Sequence, residues 1–290
     1  NNTITYCKYM ILRAIKFITA AIIAAYSLSS CTAAHDFALT IFPPYDKSLN
    51  RVSRLTNEAQ GKEVLLVPMC HLGTAEHYAK VREYLDSLKG EGYVTFCESV
   101  IARPYHIDTI GDITIPMLAQ IAGKEPAESD AARNDTLFRK LRYALGFHLG
   151  ENFNDLQNRS IPDVYQKRGY AEQSFKILGL STDKDIWVDY TIADMLELYE
   201  RQYGEIPLTP YDFATELTEP YSRENNVRIN TYALISANRE NFLRRRIEES
   251  CHKKIAVVYG ESHARMLKFD LQHLHGYELD KKYKVPKNQR

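Results

Sequence analysis

The feature that most limits the fold is a pattern that occurs twice, once near each end of the chain. Val64–Pro68 and Ile255–Tyr259 are short apolar runs without helical spacing, which is typical of strands buried in a sheet. Each run is followed by a histidine among small residues, His71 and His263, and then by an amphipathic helical segment. Because ligands and catalysis gather at the carboxyl ends of strands in α/β sheets, the two histidines predict one composite site.

The rest of the chain predicts an α/β fold with a central mixed sheet, built from two similar βα halves. Apolar spacing, capping residues and alternating β-rich runs predict strands at Glu63–Pro68, Tyr93–Cys97, Asp185–Asp189, Lys254–Tyr259 and Gly276–Leu279, and helices at Thr74–Lys89, Ile192–Tyr203, Tyr232–Ser250 and His263–His275. The first strand–helix–strand is expected to be a right-handed βαβ unit. Between about 124 and 184 the sequence is polar with helical character, which predicts a helical cap or insertion in the middle of the domain.

The N-terminal segment predicts export and anchoring. If Met10 is the start, Arg13 and Lys16 form a basic region, and the apolar stretch at 17–26 is too short for a membrane span. Leu28-Ser-Ser-Cys31 resembles a bacterial lipobox, so residues 1–30 are predicted to be a lipoprotein signal peptide and Cys31 the lipidated residue. A plain secretory signal with a chance cysteine is the alternative.

Residues 31–61 are expected to be a tether and the loop that leads into a domain at 62–290. Thr32 after the cysteine favours the outer membrane, facing the periplasm or the cell surface. The chain has 37 basic and 37 acidic side chains, so its charge gives no electrostatic case for nucleic acid as a partner. The expected partners are a membrane, through Cys31, and a peptide or small-molecule substrate.

Three side chains at strand ends are the main candidates for chemistry. Glu98 directly follows Cys97, and it meets His71 and His263 if all three strands share one sheet. Two imidazoles and a carboxylate suit a divalent metal such as manganese, cobalt or zinc. They equally suit a metal-free base with its orienting acid.

Other residues receive simpler interpretations. A single histidine after a strand is more often structural than a ligand, while Glu76 and His77 are expected on a helix surface. Cys70 is expected to pack, because neighbouring residues of a strand point to opposite faces. After the leader three cysteines remain, an odd number that implies no full disulfide framework, and a Cys70–Cys97 bridge stays open. Motifs of common serine hydrolases, nucleotide enzymes and zincins do not occur.

These residues together resemble the TraB/PrgY/TIKI family, within the wider group of erythromycin-esterase-like and ChaN-like proteins. That family has a strand ending in Gly-x-x-His, a glutamate ending the next strand, and a second Gly-x-x-His preceded by an arginine-bearing helix. Gly260-Glu-Ser-His263 matches the second motif, Glu98 the glutamate and Arg239 the helix arginine. Pro68 departs from the pattern, because it stands where the first motif has glycine.

The resemblance implies two similar halves that face a shared cleft. TIKI members are metal-dependent peptidases, pheromone-shutdown members act on or sequester small peptides, and ChaN-like members are lipoproteins that bind haem. We therefore expect a membrane-tethered, metal-dependent hydrolase of peptide or amide bonds. His71, Glu98 and His263 would hold the metal; Glu98 would also serve as base, Arg239 would stabilise the oxyanion and Glu261 would support the site. A non-enzymatic lipoprotein that captures haem or a small peptide is the alternative.

Overall fold

The computed structural model describes most of the predicted domain. The described residues are 48–70, 72–100, 112–122, 130–146, 167, 169–217, 219–224 and 228–289. His71 and Cys31 lie outside them, so the metal ligand and the lipid anchor predicted there stay predictions. No helix in these described ranges is long and apolar enough to cross a membrane.

The strands confirm the α/β class and the central mixed sheet. They are β1 Ser53–Asn57, β2 Lys62–Met69, β3 Leu72–Thr74, β4 Val94–Cys97, β5 Ile113–Thr114, β6 Tyr170–Glu172, β7 Asp185–Trp187, β8 Lys254–Gly260 and β9 Glu278–Leu279. Among the described residues, seven of them form one sheet in the order β5-β7-β4-β8-β2-β1-β9. The four central strands β7, β4, β8 and β2 run parallel. β5 is antiparallel to β7 and β1 is antiparallel to β2, while β9 pairs antiparallel with β1 and so runs in the direction of the central strands.

Helices lie at all four predicted positions, with changes at their ends, and further helices lie at 115–122 and 210–214, where none was predicted. They are α1 Ala75–Gly90, α2 Ile115–Ala122, α3 Asp130–Leu145, α4 Ile192–Tyr203, α5 Pro210–Ala214, a π-helical turn at Ala233–Ala237, α6 Asn238–Glu249 and α7 Glu261–Leu274. Thr74 caps α1, because its hydroxyl accepts the backbone N–H of His77 at 3.2 Å. Thr191 and Asp194 form a reciprocal capping box that starts α4.

The N-terminal boundary of the domain differs from the prediction. Residues 48–57, expected within the tether and loop, form a 3-10 turn at Ser48–Arg51 and strand β1. β1 pairs with β2 through five residue partners, from Ser53↔Leu66 to Asn57↔Lys62. His77, expected at a helix surface, is buried, and its Nε2 lies 3.0 Å from the hydroxyl of Ser48. The Ser48 turn is thus fixed to α1 and belongs to the fold.

The order of the central strands decides which residues meet. β8 lies between β2 and β4, so the two strands of the first βα unit are not neighbours. The register pairs Met69 with Gly260 on one side of β8 and Cys97 with Val258 on the other. The carboxyl ends of β2, β8 and β4 therefore lie at one edge, and β8 is central to it.

Helices cover both faces of the sheet, which makes three layers. On one face, α1 and α2 pack on the sheet through a cluster that includes Tyr78, Val81, Leu85, Leu118, Val67 and Val258. On the other, α6 and α7 pack through Leu243, Ile247, Leu267, Leu271, Leu66 and Val257. Alternate residues of a strand enter opposite clusters, as the pleat requires.

A third apolar cluster is formed by helices, of which only α3 lies within the predicted insertion at 124–184. α3, α4 and the π-helical turn contribute Phe138, Leu141, Leu196, Tyr199 and Leu234 to it. The predicted helical insertion at 124–184 also contains β6, which pairs antiparallel with β3. Three residues are too few to give a strand pattern that the sequence would have indicated. Cys70, Cys97 and Cys251 are free, so the Cys70–Cys97 bridge does not form.

Replacing Leu267 by alanine tests the layer between α7 and the sheet. Leu267 is fully buried, so Leu267→Ala should lower the free energy of unfolding by about 2–5 kcal/mol through lost burial and a residual cavity. Phe269 is the matched control, because it lies on the same helix but is 55% exposed. Phe269→Ala should change the free energy of unfolding by about 0.5 kcal/mol or less. Urea unfolding followed by circular dichroism measures both. Equal losses would contradict the packing of α7 described here.

Candidate active site

Four elements bring ionisable side chains to the carboxyl edge of the central strands. Glu98 follows β4, Asp189 follows β7, and His263 lies in the first turn of α7 after β8. Arg239 comes from the start of α6, which packs on the same side of the sheet as α7. Parallel strands expose their carboxyl ends together, so the topology assembles residues from distant parts of the chain.

The guanidinium of Arg239 is at the centre of the cluster. Its Nε and Nη2 donate to the two oxygens of Asp189, each at 2.8 Å, and Nη2 also donates to Glu98 Oε1 at 2.7 Å. Nη1 donates to the carbonyl of Ile235 at 3.1 Å. Asp189 is 2% exposed and Arg239 7% exposed, so these pairs form almost without water. Burial lowers the pKa of Arg239, but the two carboxylates outweigh it and hold the pKa well above its usual value.

Glu98 is held by a charge on one oxygen and by the backbone on the other. Its Oε2 accepts the N–H of Gly260, and a Cβ at that position would lie 3.2 Å from the same oxygen. Gly260 therefore allows close approach of the carboxylate. Burial raises the pKa of Glu98, but Arg239, His263 and the Gly260 N–H together bring it below its usual value. For Asp189, burial prevails over Arg239 and raises the pKa.

The His263 ring is oriented by a second carboxylate. Its Nδ1 lies 3.0 Å from Glu240 Oε1, so Nδ1 carries the proton and Nε2 carries the lone pair. Nε2 lies 3.3 Å from Arg239 Nη1 and 3.7 Å from Glu98 Oε1. The buried ring of Tyr259 meets the imidazole edge-on at 6.0 Å between centroids. This is the geometry of a histidine base with an orienting acid.

A π-helical turn sets the start of α6 and with it Arg239. The sequence predicted one continuous helix from Tyr232 to Ser250, whereas Ala233–Ala237 is π-helical, and the N–H of Asn238 donates to the carbonyl of Ala233. π-helical turns are frequent at functional sites. Tyr232, 52% exposed, donates from its hydroxyl to Glu240 Oε2 at 3.3 Å, so the turn also holds the acid that orients His263.

The structure brings together Glu98, Arg239 and His263 but not Glu261. The Glu261 carboxylate pairs with Arg51, and His71 lies outside the described residues. Sequence reasoning missed Asp189 and Glu240. Asp189 closes a predicted strand, so the strand-end rule that selected Glu98 applied to it too. Glu240 had no such pattern, because it is an acidic residue on a helix whose buried side only tertiary packing defines.

Two of the three predicted metal ligands are described, and their donor atoms already contact Arg239. Glu98 Oε1 accepts from Nη2, and His263 Nε2 faces Nη1. A guanidinium thus uses the lone pairs that a divalent cation would need. Within the described part of the chain, no three His, Cys, Asp or Glu side chains are grouped to hold a metal. The described pair does not fit manganese, cobalt or zinc, while the three-ligand site with His71, like haem capture, stays a prediction.

In comparisons with known proteins, no family model, no curated protein and no solved structure matches this chain. The resemblance to the TraB/PrgY/TIKI family therefore stays a prediction, based on the motif residues around Glu98, Arg239 and His263.

Removing the central guanidinium should destabilise the fold. Arg239→Met leaves the carboxylates of Glu98 and Asp189 buried without a cation, which should cost about 3–5 kcal/mol in the free energy of unfolding. Arg244→Met is the control on the same helix, because Arg244 forms a partly exposed pair with Glu248, and it should cost about 1 kcal/mol or less. Urea titration gives both values. A loss at Arg239 no larger than that at Arg244 would show that the cluster contributes little.

The low pKa of Glu98 predicts a pH dependence of stability. Its ionised form stabilises the fold above the ordinary pKa of 4.5, and this contribution is lost as the pH falls through the lower folded value. The difference in free energy of unfolding between the unchanged chain and Glu98→Gln should therefore be largest near neutral pH and shrink below pH 4.5. Urea titrations at several pH values measure it, with exposed Glu249→Gln as control. If the difference in free energy of unfolding between the two chains does not change with pH, Glu98 does not have a lowered pKa in the folded chain.

Proposed function

We propose that this chain is a hydrolase of peptide or amide bonds, held at a membrane by the lipid predicted at Cys31. The observation that supports a reaction centre is the placement of His263. A carboxylate, Glu240, holds one ring nitrogen at 3.0 Å, while the other lies 3.3 Å from a guanidinium and 3.7 Å from a second carboxylate. A fixed histidine with a lone pair beside a buried cation suits attack of water on a carbonyl group.

His263 acts as the base in this proposal. Nε2 takes a proton from water as the water oxygen bonds to the carbonyl carbon, and the carbonyl π electrons move to its oxygen. The imidazolium that forms lies between Glu240 and Glu98, whose charges stabilise it. When the tetrahedral intermediate collapses, the C–N bond breaks and Nε2–H returns the proton to the leaving amine.

Arg239 supplies the charge that stabilises the intermediate. Four of its donor contacts end on oxygens of Asp189, Glu98 and Ile235, at 2.7 to 3.1 Å. The contact of Nη1 with His263 Nε2 is longer, at 3.3 Å. Once Nε2 is protonated it no longer accepts a hydrogen bond, so this Nη1–H is left to donate to an oxyanion that forms beside it. Because the other contacts hold the guanidinium in place, the charge needs little reorganisation.

Replacing the base tests the proposal directly. The full chain is incubated with a mixed peptide library, and new termini are counted by mass spectrometry. His263→Ala should lower turnover by roughly 10²–10⁴-fold, the usual contribution of a general base. Glu240→Gln should lower kcat with little change in KM, since Glu240 positions the base and does not touch substrate. His273→Ala is the control, because that side chain lies on an exposed part of α7.

The same assay separates a metal-free centre from the predicted metal centre. With Arg239 as the cation, turnover should persist after dialysis against a chelator. Turnover that is lost on chelation and restored by manganese, cobalt or zinc would overturn the metal-free arrangement and support the site with His71. Peptides that bind without cleavage under either condition would overturn the hydrolase proposal and favour the capture of a ligand.

A further inference from the structure

A cavity of about 390 Å³ lies beside the candidate active site. One wall is a stripe of α7 at spacing i, i+3, i+4 and i+7, formed by Glu261, Ala264, Arg265 and Lys268. Residues 50–53 and, from β2, Leu66 and Pro68 also line it. The volume is at the lower end of the range for small-molecule sites.

The charged side chains of the cavity leave a positive excess. Arg51, Arg265 and Lys268 face a single carboxylate, that of Glu261, which pairs with Arg51. Neither Arg265 nor Lys268 forms an ion pair with any described residue. Two cations that have no carboxylate partner in the described part of the chain, next to apolar Val52, Leu66 and Pro68, suit a ligand with one anionic and one apolar part.

The cavity and the proposed base share the first turns of α7. Ala264 lines the cavity and is the next residue after His263, so their Cα atoms are about 3.8 Å apart. The His263 ring is directed at Glu240 of α6, while Glu261 pairs with Arg51 just before β1. A substrate bound in the cavity therefore needs to extend only around one helix to reach His263.

Pro68, the departure from the family motif, also lines this cavity. The N–H of Glu63 donates to the carbonyl of Lys253 on the β8 side, so by alternation the backbone N of residue 68 faces the β1 side. β1 has already ended there, because its last pairing with β2 is Ser53↔Leu66. The proline thus costs no bond to β8 and gives the cavity a rigid apolar surface.

We propose that this cavity binds the C-terminal carboxylate of a peptide substrate, with the apolar surface taking the last side chain. Arg265 and Lys268 would bind the carboxylate, and Val52, Leu66 and Pro68 the side chain. The proposal deepens the proposed function, on which it rests, because it makes the free carboxyl end of a peptide the recognised group. Inorganic phosphate offers the same charge but nothing for the apolar surface to bind.

Binding of a matched pair of peptides tests the subsite without turnover. Gly-Ala-Leu with a free carboxylate and its C-terminal amide are titrated by calorimetry into the full chain carrying His263→Ala, and into the chain carrying Glu240→Gln in case the first does not fold. The free acid should bind at least about tenfold more tightly, the size expected for one charge-assisted hydrogen-bonded contact. Adding Arg265→Met and Lys268→Met should reduce this preference to less than about twofold.

The control removes two exposed cations elsewhere, by Arg82→Met and Lys281→Met, and should keep the preference. Equal binding of acid and amide, or a preference that survives Arg265→Met and Lys268→Met, would overturn the subsite. Inorganic phosphate that binds as tightly as the acid and displaces it would assign the cavity to a free anion and overturn the peptide assignment. If the acid preference holds in these titrations while the unchanged chain cleaves no peptide in the library assay, the subsite is supported and the hydrolase proposal alone is removed.

Discussion

The arrangement of the candidate site depends on one buried guanidinium. Arg239 of α6 binds Asp189 after β7 and Glu98 after β4, and through Glu98 it is linked to Gly260 at the end of β8. A buried charge is tolerated only when it is paired and hydrogen-bonded, so these partners need one another to remain in a dry environment. Three strands and a helix are thereby fixed at the edge where the proposed chemistry takes place. The same buried ion pairs of Arg239 therefore stabilise the fold and fix the geometry of the site.

Local patterns in the sequence predicted the longer strands and most of the longer helices, but not the short elements or how the elements are arranged. The buried strands, the helix capped by Thr74 and the α/β class follow from spacing and composition within ten or twenty residues. The position of β8 between β2 and β4 does not, because strand order depends on contacts between residues nearly two hundred positions apart. β1 was missed for a related reason. It is a strand because it pairs with β2, and its sequence contains no apolar run that would indicate a strand.

The candidate site shows the same division at the level of single residues. Glu98 and His263 were accessible because each follows a strand, and Arg239 because of the family motif. Glu240 could not be selected from sequence, since on a helix of high polarity only the tertiary fold decides which acid turns inward. The π-helical turn was also not predicted. One extra residue in the turn rotates the side chains of the helix that follows, and no residue of Ala233–Ala237 indicates this change in the sequence. The buried polar network is thus the part of this site that could not be predicted from the sequence.

Pro68 has a consequence beyond the cavity that it lines. β1 pairs with β2 only as far as Leu66, so among the residues that the structure describes no strand pairs with the last residues of β2 on this side. Such an edge is a template on which another chain can add a strand, and a missing backbone donor is one of the ways in which natural sheets prevent this. Because Pro68 has no N–H to offer on that side, the proline works against edge-to-edge association at the end of β2.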